Sequence, residues 1–139
     1  MVDVSKVKFR LNKAHGCIAS AEADINLGHL YSAANRSYYA VYNAMRANLE
    51  LLNFESKKHT GNIGEFRKMF IKTGIYDASL SDIIRDSFEL REACDYEYHF
   101  IATLSDVTQQ LKNAKHFFDV VNQHIKNTLA GLSKDCACG

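Results

Sequence analysis

The sequence predicts an all-α protein, an up-down four-helix bundle with an additional short helix. Three observations carry that expectation. The 139 residues include no proline, the residue that breaks helix interiors and marks many turns. Apolar residues recur at alternating three- and four-residue steps over long stretches, which is the period of a helix with one buried face. The first two stretches are joined by only a few residues, and so short a link makes successive helices antiparallel neighbours.

Each element has its own signal. Val7, Leu11, Ala14, Ile18, Ala21 and Ile25 form the stripe of a first helix that Gly28 and His29 end. Ala34, Tyr38, Val41, Met45, Leu49 and Leu52 form the stripe of a second. Small residues at Ala33, Ala34, Ala40 and Ala44 let another helix approach it closely. The stretch from Asn53 to Gly64 reads as a polar loop. Ile63, Phe66 and Phe70 mark a short third helix that Thr73-Gly74 closes. Ser79 is placed to cap the next helix, with Asp82 in a capping-box position. Leu80, Ile83, Leu90 and Cys94 supply its core face, and it runs to about His99. Thr103 or Ser105 caps the last helix, whose stripe is Val107, Leu111, Ala114, Phe118, Val121 and Ile125. We expect one helical domain over residues 1–130 and a flexible C-terminal tail over 131–139.

Composition narrows the function. Apolar residues make up 47% and charged residues 24%, a globular balance. The formal charge of +1 excludes a polycation built for non-specific nucleic-acid binding, although a local basic patch is compatible with it. No apolar run approaches the ~20 residues of a membrane span, and the N-terminus lacks a signal-peptide core. We therefore expect a cytoplasmic protein with no membrane association. Cys17 and Cys94 fall within helical patterns, and Cys136 and Cys138 lie at the end, which is not a disulfide framework. The Cys-x-Cys tail reads either as a frayed thiol-bearing end or as a soft-metal ligand pair lacking the second pair that zinc requires. There is no Walker loop, no His-Glu-x-x-His and no Gly-x-Ser-x-Gly. We expect no cofactor and no metal site.

Three groups of residues can carry chemistry. Tyr38, Tyr39 and Tyr42 cluster on the second helix with Tyr31 just before them, either as core filling or as a stacking surface for a ligand. Arg91, Asp95 and His99 follow at four-residue steps and would line one face of an unbroken helix. In that arrangement Asp95 pairs with Arg91 and holds His99 in one tautomer. The set then reads either as a structural charge ladder or as a site for phosphodiester chemistry, in which the histidine moves protons and the arginine stabilises charge. Lys58 and His59 sit in a segment with Lys57, Arg67, Lys68 and Lys72 nearby. That segment is either an ordinary polar loop or an anion-binding loop suited to an RNA backbone.

The Ala33/Ala34…Ser37-Tyr38-Tyr39-Ala40…Ala44 run, Lys58-His59-x-Gly61…Phe66…Phe70, Leu90-Arg91…Asp95-Tyr96 and the late Ala114…Phe117-Phe118…Val121 occur in an order that resembles the HEPN domain of the small stand-alone prokaryotic type. The resemblance spans roughly residues 6 to 126 and rests on order and spacing rather than on one strong motif. It implies an all-α bundle that forms a homodimer. It further implies either a toxin–antitoxin or defence-like protein that cleaves or binds RNA, or a non-catalytic module that binds a nucleotide or docks a minimal nucleotidyltransferase partner. The family's ribonuclease signature is an arginine, four to six residues, and a histidine. Here seven residues separate Arg91 from His99, so the signature is stretched. Arg91, Asp95 and His99 are the expected catalytic residues of a metal-independent endoribonuclease, and Tyr96, Tyr98, Lys58 and His59 the expected binding residues.

Overall fold

Val7, Ala14, Ile18 and Ala21 of the first apolar stripe are buried, and Leu11 and Ile25 pack at its edges. They lie on α1 (Val4–Asn26), the first of five α-helices in a computed structural model that describes residues 1–138, with side chains described through Ser133. Asp3 caps α1 by accepting from the backbone N–H groups of Ser5 and Lys6 at 3.0 and 3.3 Å. Gly28, at φ 77°, takes the left-handed turn that ends it. No strand occurs among the described residues.

α2 (Leu30–Leu51) is the hub. The stripe from Ala34 to Leu49 is buried, and so are Ala33, Ser37, Ala40, Ala44, Ala47 and Asn48. Burial on several sides requires close neighbours in several directions, and the alanines permit them. α1, α3 (His59–Phe66), α4 (Ser79–Tyr96) and α5 (Leu104–Cys138) all pack on α2. Phe66, Phe117, Val121 and Ile125 complete the main core. Burying a side chain of that size stabilises by about 1.5–3 kcal/mol. A second, smaller core joins Ala33 and Ala34 to Ala102 and Val107.

Side-chain pairs fix the directions. Arg10 near the start of α1 meets Glu50 near the end of α2 at 3.6 Å, and Asn53 reaches the Met1 carbonyl at 3.0 Å. Phe88 in α4 lies against Tyr38 in α2, while Tyr76, before α4, bonds Asn48 towards the end of α2. Lys115 in α5 pairs with Glu22 towards the end of α1. Those pairings make α1, α2, α4 and α5 an up-down-up-down bundle, with α3 as the additional short helix. No helix of the described residues is long and apolar enough to cross a membrane.

Four boundaries differ from the sequence expectation. α3 begins at His59, inside the stretch read as loop, and continues through a π-helical turn, Arg67–Ile71, closed by Lys72 N–H donating to the Arg67 carbonyl at 2.9 Å. Ser79 is not the cap of α4. That position is Ala78, and Asp77 accepts from the Ser79 N–H at 3.0 Å instead. α4 ends at Tyr96, where Glu97 turns extended at φ −95° and ψ 113°. Thr103 does cap α5, accepting from the Asp106 N–H at 3.1 Å. α5 continues as helix through Gly131 to Cys138. The side chains of residues 134–138, the Cys136/Cys138 pair among them, and all of Gly139 lie outside the described residues.

Candidate nucleic-acid site

His59 and Arg91 lie 32 positions apart in sequence and meet at one tyrosine. Tyr38, four residues ahead of Tyr42 on α2, is buried. Its hydroxyl lies 3.2 Å from His59 Nδ1. The His59 ring stacks on Tyr42, with centroids 4.2 Å apart and planes 25° apart. From α4, the Arg91 guanidinium carbon lies 5.2 Å from the Tyr38 ring centroid and 5.5 Å from that of Tyr39, within cation–π range. Phe88, one turn before Arg91, meets Tyr38 edge-on at 6.0 Å. The tyrosines therefore fill the core and also form a platform on which a histidine and an arginine are set.

The α2–α3 connection positions His59. Asn62 is buried, donates to the Tyr42 hydroxyl at 2.8 Å and to the Ser56 carbonyl at 3.1 Å, and accepts from the Ser56 N–H at 2.9 Å. This clip ties the start of α3 to α2. Gly61 is needed beside it, because a Cβ there would collide with the Ser56 side chain. No side chain caps α3 at Lys58, so its first turn has N–H groups without a side-chain partner, next in the chain to Lys57 and Lys58, a combination that favours an anion.

Electrostatics sets the protonation states. Burial, and then the positive charges of Arg91 and Arg46, hold the His59 imidazole below its ordinary value. Burial pushes the Tyr38 hydroxyl up to about 12. At neutral pH the pair is thus a neutral imidazole and a protonated phenol. Arg91 lies 3.3 Å from Asp95 through Nε and 3.8 Å from Glu92 through Nη1. Yet Nε has no hydrogen-bond partner among the described residues. The Asp95 oxygen is near enough to balance charge but out of line to accept the proton, and Nε itself is buried, so what this mostly buried guanidinium offers an anion is its charge rather than that donor.

Of the expected site residues, the structure brings Arg91, Asp95 and His59 into one neighbourhood, with Lys58 adjacent in the chain. The pairing of Arg91 with Asp95 is present. His99 is not part of it as the sequence suggested. The helix ends three residues before His99, which lies exposed in the turn with its ring against Tyr98 at 4.8 Å. Among the described residues Asp95 makes no hydrogen bond to His99, so the line of Arg91, Asp95 and His99 on one helical face does not form. Tyr96 and Tyr98 are 71% and 94% exposed, on the surface of the α4–α5 connection rather than around Arg91. Among the described residues no group of three or more His, Cys, Asp or Glu side chains could hold a metal ion.

The comparisons with known proteins agree with this architecture. The family model described as HEPN domain matches residues 7–124. A "UPF0332 protein" of Thermotoga maritima is 26% identical over 121 residues, covering 87% of this chain and 92% of that protein. Two proteins of Methanocaldococcus jannaschii also match. "Putative toxin MJ0142" is 26% identical, covering 87% of this chain and 84% of its own length. "Putative toxin MJ0605" is 30% identical over 97 residues, covering 70% of this chain and 72% of its own.

Proposed function

This chain belongs to the HEPN family, and from that premise we propose that it is a toxin-like protein that binds RNA at the Arg91–His59 platform and cleaves it without a metal. The carrying observation is the convergence of His59 and Arg91 on Tyr38. Relatives named as toxins support the biological setting. The charge of Arg91, the start of α3 without a side-chain cap and the neighbouring Lys57 and Lys58 suit a phosphate.

The chemistry needs no protein nucleophile. An RNA 2′-hydroxyl attacks the adjacent phosphorus, the bond from phosphorus to the 5′ oxygen breaks, and a cyclic phosphate and a 5′-hydroxyl result. His59, neutral at working pH, takes the 2′ proton at Nε2 when its Nδ1–H donates to the Tyr38 oxygen. In the other tautomer Tyr38 donates to Nδ1, and Nε2–H holds a phosphate oxygen instead. Arg91 offsets the charge that builds on phosphorus, and the departing oxygen takes a proton from water. In this reading the working histidine is His59, and His99 is available to a second copy in the homodimer that we expect.

The test is cleavage of end-labelled RNA by purified protein in EDTA, with binding measured in parallel. Arg91→Ala is expected to weaken RNA binding about 10- to 100-fold, as for the loss of a charge-assisted contact, and to abolish cleavage. His59→Ala should abolish cleavage with a smaller loss of binding. Cleavage that survives His59→Ala and vanishes in His99→Ala would sink the assignment.

A second reading has its own observation. Tyr96 at the end of α4, Tyr98 and Ile101 on the connection and Leu104 at the start of α5 are all exposed, a run of large side chains suited to a protein partner. There the chain would be a non-catalytic module docking a nucleotidyltransferase or holding a nucleotide, with Arg91 and Asp95 as a structural pair. RNA left intact and unbound by the wild type would favour it.

A further inference from the structure

Between α3 and α4 the surface opens into a cavity of about 280 Å³ beside His59. Ile63, Ile84 and Phe88 line it, Gly64 leaves part of the α3 wall bare, and His59 and Arg85 also border it. We infer that this cavity receives one unpaired base of a single-stranded RNA, next to the phosphate held at Arg91 and His59. The inference rests on the RNA-binding reading above and extends it from a phosphate site to a choice of strand.

Four observations lead there. The cavity falls just below the ~300–1,000 Å³ range of sites that enclose whole small-molecule ligands, and so suits one flat group. Its apolar lining includes an aromatic ring, Phe88, which is 38% exposed and therefore accessible for stacking. It is continuous with the platform, since His59 and Phe88, which both border it, also touch Tyr38. Its border carries one cation clear of carboxylates, Arg67, which donates through Nε to Ser81, while Arg85 is paired with Asp82 at 3.4 Å and Asp86 at 3.2 Å. The larger cavity between α4 and α5, about 380 Å³, makes the contrast. Asp86, Glu89 and Asp106 line it, and an RNA backbone would be repelled there. A base stacked within a duplex cannot turn into the α3–α4 cavity without unpairing, so the site selects single strands.

Gly64 supplies the test. A Cβ built at this helical position meets nothing within 4 Å, so a side chain there enters open space rather than the core. Replacing a helix-interior glycine also favours the fold. Binding would be followed by fluorescence anisotropy for a single-stranded decamer RNA, the same decamer with abasic sugars, and a blunt duplex. The wild type, Gly64→Leu, Gly64→Ala and Arg91→Ala would be compared, with circular dichroism to check folding. The wild type should bind the decamer about tenfold more tightly than the abasic strand, as for one stacked base, and more tightly than the duplex. Gly64→Leu should lose that preference while keeping its affinity for the abasic strand, and Gly64→Ala should lose less. Equal binding of decamer and abasic strand by the wild type overturns the base site, as does a Gly64→Leu protein that keeps the preference or loses both strands alike. If Arg91→Ala loses all binding in those cases, the phosphate site stands alone. If the wild type binds none of the three, the RNA reading fails and the base site with it.

Discussion

Two histidines in this bundle sit against tyrosines, and their surroundings differ. His59 stacks on Tyr42, contacts Tyr38, and lies within the field of Arg91 and Arg46. His124 lies edge-on to Tyr76 at 5.1 Å and to Phe70 at 6.3 Å, with Thr128 beside its Nε2. Burial lowers both imidazoles, but only His59 is also lowered by cations. Tyr76 spends its hydroxyl inside the core, donating to Asn48 Oδ1 at 2.5 Å, whereas Tyr38 offers its hydroxyl to an exposed ring. The lesson is that a tyrosine–histidine contact is not in itself a site. His59 is the candidate because its ring is exposed and two arginines lie within its field.

The largest expected difference is in stability. Tyr76→Phe leaves the fully buried Asn48 Oδ1 without its donor, which should cost about 1–3 kcal/mol. Tyr38→Phe removes a longer, part-buried contact, 3.2 Å, to a histidine that is exposed as a residue, and should cost less than about 1 kcal/mol. Urea midpoints of the two variants measure this. Equal losses would erase the distinction between a core tyrosine and a platform tyrosine.

The next effect is the pH dependence that the two histidines share. Both have a folded value below the ordinary 6.5, so below 6.5 the unfolded chain binds more protons than the folded one. Stability from this source is therefore complete above about 6.5 and falls as pH drops through the lowered folded values. Replacing both histidines by glutamine should flatten the urea midpoint between pH 7 and 5. Replacing either alone should flatten it only in part. A profile unchanged in the double variant would place the acid sensitivity elsewhere.

The smallest effect separates the two rings directly. Arg91→Ala should raise the His59 titration midpoint and leave that of His124 unmoved, because only His59 feels that guanidinium. Added salt should act in the same direction by screening. Proton NMR titration of the ring protons reads both at once, and a common shift of the two would argue against a local field at His59.

Much of the bundle was legible because periodicity is a local property. The stripe of α1 named from the sequence faces the core, and so does that of α5 except that Phe117 rather than Phe118 is the buried ring, with Phe118 at the edge; Thr103 was one of two caps named for α5. The alanines of α2 announced close neighbours, though not burial on several sides. The errors arose where polar composition misled or no marker existed. Lys-Lys-His-Thr-Gly-Asn looks like a loop, but Asn62 turns inward and clips it into a helix. Asp77 performs the capping assigned to Ser79, two positions on. No glycine or proline marks the end of α4, so spacing alone carried the helix on to His99. Arg91 with Asp95 was readable, since a four-residue step is visible in a sequence. The meeting of His59 with Arg91 was not, because it depends on where two helices lie relative to a third.

The π turn at Arg67–Ile71 has a bearing on lineage as well as on shape. It acts as one extra residue inside a helix, closed by the bond from Lys72 to Arg67. Within it Phe70 is fixed in the core with Tyr76, and before it α3 carries His59. Deleting one residue there would return the segment to regular α-helix and swing everything before it by about 100° about the axis, carrying His59 off the tyrosines. Descendants of this chain can thus vary the exposed positions of α3, away from His59, Gly61, Asn62 and Phe66, but a change of one in its length would put the histidine out of phase with the arginine.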